Sequence, residues 1–324
     1  MELFDILKDK ISGKNKKIVF PEGQEPRILK AAIRLANDGL IVPILLGNEE
    51  VIRQTAKELN VDLGEIKIID PKTYPDNKFA EMKAKFVDRR KGKNTLEQAE
   101  EMLRDVNYFG TMLVYMQVAD GLVSGAVHST GDTVRPALQI IKTKPNVSRT
   151  SGAFMMVKGE EKYILADCAI NINPSAQELA EIAIESAHTA EMFDIDPKVA
   201  LLSFSTMGSA KSPEVTKVQE ATKIAQSLAP ELSIDGELQF DAAFVPTVGN
   251  QKAPDSKVAG KANVFVFPEL QSGNIGYKIA QRLGGFEAIG PILQGLNQPV
   301  SDLSRGSVEE DVYKVAIITA AQAL

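Results

Sequence analysis

The sequence predicts an α/β protein made of two doubly wound domains. Three observations lead there. Short apolar runs alternate with amphipathic helical stretches, the pattern of parallel strands joined by helices. The length, 324 residues, is long for one domain and comfortable for two. The alternation breaks once, at KTKPNVSRTSG (142–152), and then starts again.

Taken in order, a helix-spaced N-terminus precedes KKIVFPE, a buried strand, and Glu25–Asp38, a helix closed by Gly39. IVPILLG is the next strand, Asn48–Leu59 a helix and EIKIID a third strand. Helical stretches cover Asn77–Lys91 and Asn94–Asp105, ADGLVSGAV returns to strand, and Thr130–Ile141 is a helix. After the break, AFMMVK and KYILAD are joined by GEE as a hairpin. Ser175–Phe193 is a helix whose Ser175 and Glu178 have capping-box spacing. VALLSFS is a strand, Ser212–Pro213 starts another helix, and NVFVFP and AIGPILQ complete the second set.

Composition narrows the partners. A formal charge of −6 argues against a nucleic-acid or anionic-membrane surface. No apolar run approaches the ~20 residues of a membrane span, and the N-terminus lacks a signal-peptide core. Cys168 is the one cysteine, which rules out an internal disulfide and a cysteine-based metal site. His128 and His188 are the only histidines, and no metal constellation is visible. A cytoplasmic protein without bound metal is the expectation.

Open α/β sheets bind ligands beyond the carboxyl ends of their strands. Four loops there carry unusual chemistry. In PVSDLSRGSVEED (299–311), Ser304, Arg305 and Gly306 precede the last helix, whose exposed N–H groups favour an anion. Arg305 adds a donor fork suited to phosphate. Ser307 and Glu310 have capping-box spacing, while Asp311 lies on the side of Val308 and Val315, which predicts partial burial. HSTGDTVRPALQ (128–139) offers Ser129 and Thr130 at a helix start and Arg135 one turn on. SFSTMGSAKSP (203–213) collects hydroxyls and glycine, and FVDRRKGKN (86–94) clusters Arg89, Arg90, Lys91 and Lys93.

Each has a structural reading as well. Ser129 and Thr130 suit N-caps, Arg135 a surface ion pair, the basic cluster a solvated face, and Cys168 a small core residue. GxGxxG is absent, and KGKNT lacks the upstream glycine of a P-loop. The residues alone therefore describe an α/β protein for a phosphorylated ligand.

Long segments add more. DGLVSGAVHSTGDTVRPALQIIKT, ADCAININPSAQELAEIAIESA, LLSFSTMGSA, DGELQFDAA, VFPELQSGNIGYKIAQRLGG and GPILQGLNQPVSDLSRG closely resemble the phosphate acetyltransferases. The similarity runs from VFPEG near residue 19 to the C-terminus and matches the short, single-function form. It implies reversible acetyl transfer between coenzyme A and phosphate, with CoA, acetyl-CoA, acetyl phosphate and phosphate as small-molecule substrates and no permanently bound cofactor. It also implies two α/β domains with a cleft between them, akin to the isocitrate and isopropylmalate dehydrogenases, and a homodimer. In that architecture the last helix returns to the first domain, so the expected domains are 1–147 with 300–324, and 148–299.

The resemblance further implies roles. Asp311 stands at the position of the base that takes the CoA thiol proton. Thiols sit near pKa ~8.5 and aspartates near ~4, and a helix N-terminus lowers a carboxyl further, so desolvation has to offset the gap. Ser304 and nearby N–H groups would stabilise the oxyanion. Arg135 and Arg305 would neutralise the departing phosphate, Ser129 and Thr130 seat it, and Arg90 help to bind CoA, with Arg89 one residue away. Where some family members have a cysteine, this chain has Ser307. With Cys168 the sole thiol, direct transfer in a ternary complex is expected over an acetyl-enzyme. The alternatives are a butyryl- or propanoyl-preferring relative and, more remotely, a non-catalytic acetyl-CoA-sensing domain.

Overall fold

A computed structural model describes residues 3–324. Strands β1 (Lys17–Phe20), β2 (Val42–Leu46), β3 (Lys67–Ile69) and β4 (Gly121–Ser124) come first. β5 (Ser151–Lys158), β6 (Glu161–Ala166), β7 (Lys198–Leu202), β8 (Ser233–Leu238), β9 (Val264–Val266) and β10 (Glu287–Gln294) follow, and β11 (Val300–Asp302) precedes the last helix. The chain divides into two compact units: the part up to Thr143 with Leu296–Leu324, and Lys144–Gly295.

In the first unit the strand order is β11-β4-β1-β2-β3, and all four pairings are parallel. Strands covered on both faces need apolar residues at nearly every position, and β1 and β2 bury all but their first residue. The Pro26–Asn37 helix buries Ile28, Leu29, Ala31, Ala32, Ile33 and Leu35 along one stripe. Glu25 caps it, its carboxylate accepting from the N–H groups of Arg27 and Ile28. Gly39, at φ +67, closes it. The last helix, Glu309–Gln322, packs on β4 so tightly that a Cβ on Gly121 would meet the Thr319 methyl at 2.8 Å.

The second unit differs from a wholly parallel sheet. Its order is β10-β5-β6-β9-β7-β8. The expected hairpin forms as β5 and β6, and β10 adds antiparallel to β5, so β5 alone runs against the other five strands. Its core gathers Phe154, Met156, Leu165, Cys168, Leu202, Leu238 and Phe265. Beside the sheet, Ala176–Met192 is a helix with Ser175 and Glu178 in the expected capping box.

Two local expectations change. The stretch from Thr130 is α-helical only to Pro136 and continues as a π-helix over Ala137–Ile141, with Lys142 N–H donating to Ala137 O, five residues back. Pro136 removes a donor and crowds the preceding turn, and the wider turn relieves both. The Ser307–Glu310 capping box does not form. Ser307 N–H donates to Ser304 O, a turn that delays the helix to Glu309. Val308 is the N-cap, and Asp311, three residues on, accepts its N–H at 2.8 Å.

Candidate active site

β11, β4 and β1 are neighbours, so the loops that follow them emerge side by side at the carboxyl edge of the first unit's sheet. Glu22, just after β1, organises the loop after β4. Its buried carboxylate accepts the N–H groups of Gly125, Ala126, Val127 and His128 at 2.8–3.2 Å, and His128 Nδ1 lies 2.7 Å away. Burial alone would raise the Glu22 pKa, but the hydrogen bonds from His128 and the loop outweigh it and hold it below its ordinary value. The same contact raises the pKa of His128. A carboxylate wrapped by four consecutive amides fixes the course of the loop that ends in Ser129.

Arg27 fastens this loop to the one after β11. Its Nη2 donates to Ala126 O at 3.0 Å, and its Nη1 donates to Arg305 O at 2.9 Å and Ser307 O at 2.6 Å. Glu25, the cap of its own helix, holds the Nε at 2.7 Å. Three carbonyls from two loops thus meet one planar group.

On that turn Ser304 and Arg305 are exposed, with the Ser304 hydroxyl accepting Gly306 N–H at 3.2 Å. Asp311 is also exposed, contrary to the partial burial expected. The delayed helix start rotates it to the N3 position, where its carboxylate caps Val308 while Val312 and Tyr313 turn inward. Glu310 leaves the cap and pairs with Arg34 at 2.5 Å.

Ser129 is the N-cap of Thr130–Pro136, in a reciprocal box with Asp132. Its Oγ donates to Asp132 Oδ2 at 2.6 Å, so its single hydroxyl hydrogen is already used. Thr130 and Arg135 are exposed on the same short helix, and the Arg135 guanidinium folds back toward Gly131.

Arg89 and Arg90 separate cleanly. Arg89 donates to Ile140 O at 2.6 Å and Ile141 O at 2.9 Å and lies over the Tyr115 ring, closing the π-helix. Arg90, one residue on, is held among the described residues only by Asn94 Oδ1 at 3.0 Å and faces Tyr108. Arg90 and Arg135 both bear on the Tyr108 hydroxyl, which donates to Gln139 at 2.9 Å. Burial raises the Tyr108 pKa, and the two cations oppose it.

The expected residues therefore lie in one unit in two stretches: Ser304 and Arg305 on the turn before the last helix with Asp311 in that helix's first turn, and Arg90 and Arg135 around Tyr108, with Thr130 on the helix that also carries Arg135. Cys168 is in the other unit, fully buried, its pKa driven well up by burial. The 203–213 loop is also there, clasped by Glu237, which accepts from Ser205 Oγ and Gly208 N–H. Among the described residues no group of three or more His, Cys, Asp or Glu side chains could hold a metal ion.

Residues 2–320 match the family model described as Phosphate acetyl/butaryl transferase. The chain belongs to this family. It is 65% identical to a phosphate acetyltransferase of Bacillus subtilis (strain 168) over 323 residues, covering all of this chain and 99% of the relative. A phosphate acetyltransferase of Staphylococcus aureus (strain MRSA252) is 62% identical over 327 residues, with the same coverage. Among solved structures, a phosphotransacetylase from Streptococcus pyogenes aligns at TM-score 0.97 and 65% identity, over 99% of this chain and 98% of that one. A putative 4-hydroxythreonine-4-phosphate dehydrogenase from Salmonella typhimurium, 13% identical over 96% of this chain and 99% of that one, aligns at TM-score 0.56 and shares the fold alone.

Sequence reasoning within the family missed Glu22, Arg27 and Tyr108. Glu22 and Arg27 sit in and just after the VFPEG motif, which was legible as a match but not as a clasp. Tyr108 lies on the Val106–Tyr115 helix, which went unrecognised between the preceding helix and strand β4.

Proposed function

We propose that this protein is a phosphate acetyltransferase, catalysing acetyl-CoA + phosphate = acetyl phosphate + CoA. What carries the reading is 65% identity with a phosphate acetyltransferase along the whole length, with Ser304 and Arg305 exposed on the turn before the last helix and Asp311 exposed in that helix's first turn.

In the thioester-forming direction, Asp311 accepts the proton of the CoA thiol, and the sulfur attacks the carbonyl carbon of acetyl phosphate. The oxyanion that develops is met by the Ser304 hydroxyl and the N–H groups of its turn. Collapse breaks the bond from carbonyl carbon to phosphate oxygen, and phosphate leaves with the electron pair, its charge neutralised by Arg305 and Arg135. Thr130, whose hydroxyl is not spent on the cap, seats a phosphoryl oxygen, whereas Ser129 acts by fixing the helix start. Arg90, held by a single neutral partner, is available to the phosphates of CoA. Cys168, buried with a raised pKa, supports transfer without an acetyl-enzyme.

The reading includes a cytoplasmic location and a homodimer. Exposed Ile275, Ile279 and Leu283, close together at and beyond the Leu270–Arg282 helix, support self-association through the second unit, and light scattering would measure it.

The deciding assay follows thioester absorbance with purified protein, CoA and acetyl phosphate, then butyryl phosphate. Turnover with acetyl phosphate and little with butyryl phosphate is expected. Preference for butyryl phosphate would change the acyl group, and no turnover with either would overturn the reading.

A further inference from the structure

His128 has no part in the mechanism above, yet the loop after β4 is built to hold its ring. The Glu22 carboxylate takes four consecutive amides of that loop, ending with the N–H of His128 itself. An ionised carboxylate only accepts, so the ring nitrogen 2.7 Å from it, Nδ1, is the donor. That fixes the tautomer and leaves Nε2 free to act. The side chain of Glu22 is 1% exposed and that of His128 28%, so Nδ1 faces inward and the far edge of the ring faces out. Among the described residues no other side chain bonds to the ring.

The place of the ring follows from its neighbours. At φ +111, a Cβ on Gly125 would stand 2.6 Å from Leu303 O, so the loop runs against the start of the Ser304 turn. Arg27 ties Ala126 of the same loop to Arg305 and Ser307. On the other side His128 leads directly into Ser129 and Thr130 at the start of the Thr130–Pro136 helix. The imidazole thus stands between the two stretches assigned to phosphate. The charges that bear on it most are acidic: Glu22 after β1, Asp105 at the cap of the Val106–Tyr115 helix, and Asp132 on the Thr130–Pro136 helix. Of the cations on the adjoining turn, Arg27 is committed to carbonyls and Arg305 is exposed. The Glu22 contact raises the His128 pKa, so more of the ring is protonated at pH 7 than in a free histidine.

The chemistry lacks a proton at this spot. A phosphoryl group loses its last proton near pH ~6 and is doubly charged at pH 7. If it left acetyl phosphate with the electron pair and no proton, it would depart as a trianion. Arginines neutralise charge but give up no proton. Asp311 takes a proton in this step. We propose that His128 is a catalytic residue whose Nε2 donates to a phosphoryl oxygen and passes its proton over as the phosphate leaves. The sulfur–carbon bond forms while the thiol proton goes to Asp311. The carbon–oxygen bond breaks with its electron pair on the phosphate oxygen, and the Nε2 proton joins a phosphoryl oxygen, so hydrogen phosphate leaves. The neutral ring, still donating Nδ1–H to Glu22, then regains a proton from solvent, and Asp311 returns its own. In the reverse direction neutral Nε2 takes the proton of the attacking phosphate. Glu22 holds the tautomer and steadies the imidazolium, as a buried carboxylate does beside other catalytic histidines.

This proposal rests on the acetyltransferase reading. Its test is kcat with acetyl phosphate and CoA from pH 6 to 9, for native protein and His128→Asn. The asparagine amide keeps a donor for Glu22 but has no proton to give to phosphate. Native kcat should fall up to about tenfold per pH unit above the His128 pKa. The variant should lose roughly 10²–10⁴ in kcat at pH 7 and show no such descending limb. A merely structural role would lower kcat and leave the limb in place. A native profile without the limb, a variant that keeps it, or a variant within about tenfold of native kcat overturns the proposal. Absence of turnover in native protein would overturn the acetyltransferase reading, and this proposal with it. Should His128→Asn fail to fold, His128→Gln serves instead, judged by the same limb.

Discussion

Arg27 Nη1 donates to the carbonyl of Ser307 at 2.6 Å, joining residues 280 positions apart, while its Nη2 holds Ala126 O. Arg27→Lys keeps the charge but offers a point donor in place of a fork. The loops after β4 and β11 then lose their common anchor. We expect kcat/KM to fall roughly a hundredfold, as misplacement of reacting groups does, with a stability loss of about 2 kcal/mol. Steady-state kinetics and denaturant unfolding check both, and an unchanged kcat/KM would show that the loops hold position without Arg27.

Asp311→Asn removes the proton acceptor and keeps an oxygen that can cap Val308 N–H. Turnover should fall by roughly 10²–10⁴ while circular dichroism and melting stay close to native. Near-native turnover would remove Asp311 as the base.

Cys168→Ala separates direct transfer from a covalent route. The thiol is fully buried and its pKa lies far above physiological pH, so activity should persist. The cost is about 1 kcal/mol of packing. A folded but inactive variant would reinstate the acetyl-enzyme.

Asp302, the buried last residue of β11, makes stability depend on pH. Its pKa stands at about 6 against 3.8 for an ordinary aspartate, so the folded chain binds this proton more tightly than the unfolded one. The stability it contributes is present below pH ~4 and lost as pH rises through 6, a change of roughly 3 kcal/mol. Asp302→Asn should therefore gain on native protein between pH 4 and 6 and hold that gain above 7. Unfolding at pH 4.5, 6 and 8 measures the difference, and a constant value would show that the buried charge has little energetic consequence.

Most strands and capped helices could be read from the sequence because their signals are local. Ser175 with Glu178, Pro26 after Glu25, and the apolar runs of β1 and β2 each specify structure within a few residues. β8 was missed because its SIDGEL breaks the apolar run with Asp235, Gly236 and Glu237, and one of these, Glu237, serves the neighbouring loop. AIGPILQ was legible as β10, whereas β11, only Val300–Asp302, is too short to give a pattern of its own. At the site, Ser304, Arg305, Arg135 and Arg90 stood out by residue type and motif. Glu22 and Arg27 did not, because their roles depend on contacts about 100 and 280 residues distant. The exposure of Asp311 was misjudged by one residue of helix register, which the Ser304–Ser307 turn sets.

β11 and the last helix complete a sheet whose other strands lie before residue 143. On a ribosome, β1, β2, β3 and β4 are synthesised first, and the whole of Lys144–Gly295 follows before β11 can pair with β4. Until then the β4 edge lacks its neighbour, and Arg27 has no Arg305 or Ser307 carbonyl to hold. The growing chain thus carries both arginines of the Tyr108 cluster long before it carries the turn of Ser304, Arg305 and Asp311. On the proposed mechanism, chemistry waits until residues 304–311 have been made, and a chain that stops short of residue 300 is expected to be inert.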